Sequence, residues 1–169
     1  APESNRDRML YGIYFHKKSI ENTGNNDSSG GLSQKRAEQL YNDLDGVEHM
    51  SLFWPYTFAE DVEGTLGETF MTKVRYADAE FWKILDHKIL HGRFFTEDEV
   101  KSGSDVAVLS EGTARRLFGT DNPVGQTYQQ AHQPFIVICV VANSAVLASH
   151  AYGEAFLPLP TEDYGDCGN

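Results

Sequence analysis

Residues 76–100, YADAEFWKILDHKILHGRFFTEDEV, residues 105–129, DVAVLSEGTARRLFGTDNPVGQTYQ, and residues 134–141, PFIVICVV, decide the fold. Compact units recur in them, each with a helix start, a short amphipathic helix and an apolar strand. Asp78 stands where a helix cap is needed, ahead of Phe81, Trp82, Ile84 and Leu85. Its side-chain oxygens can accept the free amides of a first turn. Residues 88–90 read as extended, and Gly92-Arg93 turns the chain. Thr96 followed by Glu99 is a capping box, in which each side chain satisfies the other residue's amide. Val106 to Leu109 is an apolar run of buried-strand length. Ser110 then caps a helix with Ala114, Leu117 and Phe118 inward, stopped by Gly119. Asn122-Pro123-Val124-Gly125 is a turn, with Pro123 fixing φ and Gly125 permitting a positive φ. Residues 126–129 and 135–141 pair as a hairpin. The second is apolar on both faces, which makes it a central strand, and residues 155–159 form a last strand.

The chain on either side is read the same way. Residues 9–16, MLYGIYFH, predict a first strand, and residues 21–31 a Gly- and Asn-rich loop. Ser33 caps a helix reaching about Leu44, with Leu32 as a staple, Ala37, Leu40, Tyr41 and Leu44 on one buried face, and Gly46 as its stop. Residues 47–54 predict a strand ended by Pro55, and residues 56–67 an acidic, turn-rich connection. Residues 68–76 alternate, with Phe70, Thr72, Val74 and Tyr76 on one face and Thr69, Met71, Lys73 and Arg75 on the other. Strand, helix, strand, strand predicts an α+β fold: a mixed sheet with short helices.

The order of these pieces resembles a family, the periplasmic core domain of MacB-like (FtsX-type) ABC transporter permeases. The resemblance rests on the Asp-x-x-Phe turn from Asp78 to Phe81, GRFF from Gly92 to Phe95, and VAVLS through LFG from Val106 to Gly119. It rests also on NPVGQ from Asn122 to Gln126, the apolar strand 135–141 and FLPL from Phe156 to Leu159. It implies one extracytoplasmic domain over 1–169, with a porter-like subdomain, 1–76 plus 142–169, and an inserted smaller α/β lobe, 77–141. It implies a non-catalytic part of a permease, on the outer face of the inner membrane, that transmits ATP-driven motion for export or efflux. The implied partners are the permease's own transmembrane helices, an ABC ATPase subunit that holds the ATP, and a periplasmic adaptor or second permease copy. No cofactor is implied in the domain itself. Asp78, Phe81, Gly92, Arg93, Thr96, Glu99, Ser110, Gly119, Asn122, Pro123 and Gly125 are the structural motif residues.

Composition bounds the alternatives. Of 169 residues, 40% are hydrophobic and 23% charged, enough for one domain or two small subdomains. A formal net charge of -11 argues against nucleic acid, whose binding rests on Lys and Arg at phosphates. It also opposes self-association, so the isolated domain is expected to be a monomer or weak dimer. No apolar run of spanning length occurs. An opening without Met or signal peptide suits an excised piece of a longer protein, and the resemblance implies that its flanks are membrane helices. Cys139 lies in an apolar run and reads as a buried thiol; pairing with Cys167 stays open.

Constellations that suggest chemistry have structural readings beside them. His87 and His91 have helical spacing for a metal, but residues 88–90 read as extended and no Cys lies near. Glu97, Asp98 and Glu99 suit the first turn of a helix, and lack the central Gly of a calcium loop. Ser110 lacks the flanking glycines of a hydrolase elbow. No dinucleotide or Walker fingerprint is present. Arg93 is expected in an internal pair with Asp78 or Glu97. Phe53, Trp54, Tyr56 and Phe58 form either core or an exposed partner patch. The runner-up function is a free-standing ligand- or peptide-binding module of the envelope; a small hydrolase is third.

Overall fold

The structure, a computed structural model, describes residues 14–17, 28–31, 39, 42, 43, 49–53, 57–144 and 151–160. The chain divides into two compact units, 1–48 with 162–169, and 49–161. In the first, β1 (Tyr14–Lys17) pairs antiparallel with β2 (Ser28–Gly31), Tyr14 opposite Gly31 and Lys17 opposite Ser28. The expected loop over 21–31 is thus corrected at its end. Backbone pairing makes a strand of Ser-Ser-Gly-Gly, which carries no apolar alternation. Gln39 and Asn42 are helical, whereas Leu32, Ser33, Ala37, Leu40, Tyr41, Leu44 and Gly46 of the expected capped helix lie outside the described residues. So do Trp54, Pro55, Tyr56 and Cys167.

The second unit holds β3 (Phe58–Glu63), β4 (Thr69–Ala77), α1 (Phe81–Ile84), β5 (Ile89–Gly92), α2 (Glu97–Lys101) and β6 (Val106–Ser110). After them come α3 (Glu111–Phe118), β7 (Thr127–Gln130), β8 (Gln133–Val141) and β9 (Ala155–Pro158). These strands form one seven-stranded sheet in the order β5-β8-β6-β9-β4-β3-β7, and β7 also pairs with β8. The pairings therefore close a ring. β4–β9 and β6–β8 are parallel, and the other contacts antiparallel. The ring is narrowest at β3–β7 (Val62↔Gln130, Glu63↔Gln129) and at β6–β9 (Val108↔Phe156, Leu109↔Ala155), each with two pairs in register. β4 and β9 share a sheet with β6, β7 and β8.

β6, β9 and the second half of β8 are buried on both faces, which explains the near-continuous apolar run there. One core joins Val62, Val74, Leu109, Val137, Val140 and Leu157 to Ala114, Leu117 and Phe118 of α3. The other joins Val108, Cys139, Val141 and Phe156 to Phe81 and Trp82 of α1, Leu85, Phe95 and Val100 of α2. Neighbouring residues of β6 (Leu109, Val108) and β9 (Leu157, Phe156) belong to opposite cores, as a period of two demands.

Two further expectations are corrected. Residues 49–52 are not in a strand, and Phe53 makes a single bridge to Ala77, so the strand expected over 47–54 is absent among the described residues. Residues 56–67 contain β3. One face carries Phe58, Glu60 and Val62, opposite Val74, Thr72 and Phe70 of β4; Val62 is buried, Glu60 half-buried and Phe58, at the strand's start, exposed. The charge on Glu60 masks that alternation, although Tyr76 Oη donates to its Oε1 at 2.7 Å and Gln130 Nε2 to its Oε2 at 2.9 Å.

Candidate functional site

The face that carries α1 and α2 gathers Asp78, Phe81, Gly92, Arg93, Thr96 and Glu99. Asp78 follows β4 directly. Its Oδ1 accepts from Ser51 Oγ (2.7 Å) and the Phe81 amide (3.0 Å), and its Oδ2 from the Leu52 amide (2.6 Å). The helix's formal cap residue is Glu80, which makes no side-chain cap bond; Asp78 does that work from two residues upstream. It also ties segment 49–53 to the end of β4. Burial raises the Asp78 carboxyl above its ordinary range, opposed by these donors.

Phe81 and Trp82 sit on an aromatic cluster. Trp82 stacks on Phe94 with ring centres 4.3 Å apart and planes at 5°, and meets Phe95 and Phe156 edge-on at 5.3 and 5.1 Å. Each such contact adds about 0.5–1.5 kcal/mol beyond area burial. GRFF therefore works as two parts: Phe94 and Phe95 fill the cluster, while Gly92 and Arg93 shape the turn. Gly92 has φ +80, and the Arg93 amide donates to Ile138 O at 3.1 Å.

Thr96 and Glu99 form the capping box of α2. Glu99 has a second duty. Arg93 Nη1 reaches Glu99 Oε2 at 2.9 Å and Nη2 reaches Oε1 at 2.8 Å. The pair expected with Asp78 or Glu97 is thus corrected to Glu99. Glu97 instead pairs with Lys101 on the helix surface, one turn on. The guanidinium holds the Glu99 carboxyl down at about 2, the Thr96 amide helping.

The remaining motif residues surround α3. Ser110 Oγ accepts the Thr113 amide at 3.4 Å and lies 2.9 Å from Thr113 Oγ1. Gly119 closes the helix at φ 69, its amide donating to Arg115 O. Asn122 Oδ1 accepts the Val124 amide, Pro123 is buried with its carbonyl taking the Gln126 amide, and Gly125 has φ +89. These residues do not meet the Asp78–Arg93 group.

A cavity of about 300 Å³ lies where parallel β6 and β8 end, lined by Ser110, Thr113, Arg116, Asn143, Tyr152 and Glu154. Ser144 also lines it, with its Oγ buried and without a hydrogen-bond partner among the described residues, while its other side chains are largely engaged with the protein. Asn143 Oδ1 accepts the Gly112 amide, Tyr152 Oη donates to Glu154, and Arg116 reaches Glu68 while lying over Phe70. Among the described residues no cluster of three or more His, Cys, Asp or Glu is placed to hold a metal ion.

Two contributors escaped the sequence reading. Arg75, set on the face of β4 opposite to Val74, is 1% exposed, its Nε donating to Tyr152 O at 2.8 Å and its charge facing the Phe53 ring. Glu154 binds Thr72 Oγ1 and the Lys73 amide through Oε2. His87, which with His91 reads as a surface or half-buried histidine, is half-buried. Its ring lies against Phe81, Trp82 and Phe156, and burial lowers its pKa. The signal that could have flagged Arg75 is an arginine between Val74 and Ala77 in a strand with both faces covered.

A ring-paired mixed sheet carries these carboxylates and cations in caps and ion pairs. The model of the MacB-like periplasmic core domain matches residues 3–165, and the chain belongs to that family, extracytoplasmic domains of ABC transporter permeases. The macrolide export ATP-binding/permease protein MacB of Mannheimia succiniciproducens is 26% identical over 139 residues, covering 78% of this chain and 22% of that protein. The chain thus spans about a fifth of that relative's length. Among solved structures, the extracellular domain of the noncanonic ABC-type transporter YknZ from Gram-positive bacteria superposes with a TM-score of 0.61. The identity is 20%, and the match covers 75% of this chain and 62% of that one. The periplasmic region of MacB from Actinobacillus actinomycetemcomitans gives 0.56 at 21% identity, covering 76% and 57%. At these identities the likeness is one of fold.

Proposed function

We propose that this domain is the non-catalytic extracytoplasmic part of a permease that couples ATP hydrolysis in the cytoplasm to substrate export or other work outside the membrane. The observation that carries the reading is the family match over residues 3–165, with relatives whose names join ATP binding to permease function. The geometry supports it. A lobe that transmits motion must move as one body, and capped helices packed on both faces of a closed strand ring resist internal shear. ATP is held by a partner subunit or domain beyond these residues, and the domain works with membrane helices and with an adaptor or a second copy outside the membrane. The test replaces residues 49–161 in the full-length permease with a flexible linker. ATP hydrolysis in membranes is expected to persist while export stops; continued export overturns the reading.

A free-standing envelope binding module is the second reading, favoured by the cavity at the ends of β6 and β8. A native reading frame with no membrane spans on either side selects it.

A further inference from the structure

Residues 151–154 run into β9, and two basic side chains take two successive carbonyls there. His87 Nε2 lies 2.8 Å from Ala151 O, and Arg75 Nε donates to Tyr152 O at 2.8 Å. The next residues are fixed by backbone and carboxylate. The Glu154 amide donates to Lys73 O, its carbonyl accepts the Ser110 amide, and its side chain accepts the Lys73 amide at 2.7 Å. This strap therefore joins β4 to β6 through β9, and its start hangs on His87 and Arg75.

The two anchors differ in kind. Arginine keeps its charge at any accessible pH, whereas histidine changes charge in the range an extracytoplasmic domain can meet. Donation to Ala151 O requires a proton on Nε2, so a neutral ring holds the strap as that tautomer. A second proton on Nδ1 has Leu85 O as its acceptor, only two residues back and at 3.3 Å. Against that contact stand three aromatic rings with centres 5.1–5.5 Å from the imidazole. The charged groups facing the ring are Arg75 from β4 and Asp86 from its own loop; α1 and β9 present aromatic rings.

We propose that His87 is an acid-released latch: neutral, it holds the strap 151–154 beside Arg75, and protonated, it lets the start of β9 loosen. The direction follows from burial, the largest influence, which lowers the pKa, with Arg75 acting the same way; the two carbonyls and Asp86 act oppositely. A histidine held below its ordinary value of about 6.5 stabilises the fold above that value, and the contribution is lost as pH falls through the folded-state value. The inference rests on the strap's geometry and not on the coupling role proposed above, so either can fail alone.

The test uses the 169-residue domain. Protection of the Glu154 and Ser110 amides, corrected for intrinsic exchange rates, is measured by hydrogen exchange at pH 7.5 and 5.0. In the wild type it is expected to fall severalfold on acidification, while that of the Gly119 amide, at the far end of α3, holds. In His87→Gln, whose amide keeps a donor but does not titrate, the acid response of Glu154 and Ser110 is expected to vanish. An unchanged wild-type protection, or a response that survives in His87→Gln, overturns the proposal. An NMR titration of the wild type keeps the test decisive if that variant misfolds. The His87 midpoint is expected below 6.5, with the Tyr152 and Glu154 amide shifts following it; a midpoint at or above 6.5, or shifts that do not follow, rejects the latch.

Discussion

Arg93 and Glu99 meet fork to fork, with contacts of 2.9 and 2.8 Å, across the connection between β5 and α2. Glu99 Oε2 also takes the Thr96 amide at 2.8 Å. One carboxylate thus fixes both the helix start and the turn before it. The Arg93 side chain is 58% exposed and that of Glu99 20%, so solvent screens the pair, and the loss on Arg93→Ala is about 1 kcal/mol. Thermal unfolding is expected to shift down by roughly 3–6 °C. Arg93→Lys recovers only part of this, because an ammonium cannot bridge both oxygens.

The same pair sets an acid dependence. The Glu99 carboxyl is held down at about 2, first by Arg93. A carboxyl depressed on folding stabilises above its ordinary value and loses that contribution as pH falls toward the folded one. The gap in melting temperature between wild type and Arg93→Ala is therefore expected to be full at pH 7 and to shrink steadily from pH 4.5 to pH 2. Equal gaps at pH 7 and pH 2.5 would show that the ion pair is not what the variant removes.

Local rules made much of this region legible, and distance in the chain hid the rest. The capping box of Thr96 and Glu99, the Ser110 cap with its Gly119 stop, and the 122–125 turn each involve residues within a few positions of one another. Such pairings follow from side-chain reach alone. The partners of Asp78 lie 26 and 27 residues back in a segment without regular structure, where no periodicity betrays them. The burial of Arg75 stayed hidden because alternation assigns a face but cannot say what covers it; the cover is the strap 151–154, 77 residues on. Strand β3 was hidden because Glu60 shares the face of Val62 and is satisfied by Tyr76 and Gln130, from β4 and β7.

Asp78 yields a prediction in which shape and charge separate. Both of its oxygens accept, so an asparagine must turn an NH2 toward one set of donors: Leu52 N on one side, or Ser51 Oγ and Phe81 N on the other. Asp78→Asn is expected to lose nearly as much stability as Asp78→Ala, about 3 kcal/mol, because a donor left facing a donor costs as much as a missing acceptor. Urea unfolding measures both. An asparagine variant within 1 kcal/mol of wild type would mean that the Leu52 contact contributes little.

Cys139 tests how tightly the second core is closed. It lies in β8 with 0% exposure, and burial pushes its thiol up to about 12. Thiolate is the reacting species, so both access and ionisation oppose modification. With iodoacetamide at pH 8, the peptide carrying Cys139 is expected to stay unmodified in the native domain and to label fully in denaturant, as read by mass spectrometry. Native labelling at the denatured rate would show that β5 and β8 open readily.

Gly92 and Gly125 both have positive φ, +80 and +89, yet they predict different losses on substitution by alanine. At Gly125 a Cβ would meet nothing within 4 Å, so the cost is the backbone strain alone, about 1–2 kcal/mol. At Gly92 the same atom would lie 2.0 Å from Ile138 O and 3.0 Å from Cys139 Cα. Those are backbone atoms of β8, and Ile138 O is also the acceptor for the Arg93 amide. Relief requires β5 to move off β8, which breaks the Gly92↔Cys139 register and pulls Phe94 away from Trp82. Gly92→Ala is expected to cost more than about 3 kcal/mol and to raise the fluorescence response of the aromatic cluster, whereas Gly125→Ala leaves that signal unchanged. Equal losses for the two variants would mean that strain, not the closeness of the β8 backbone, is what glycine provides at position 92.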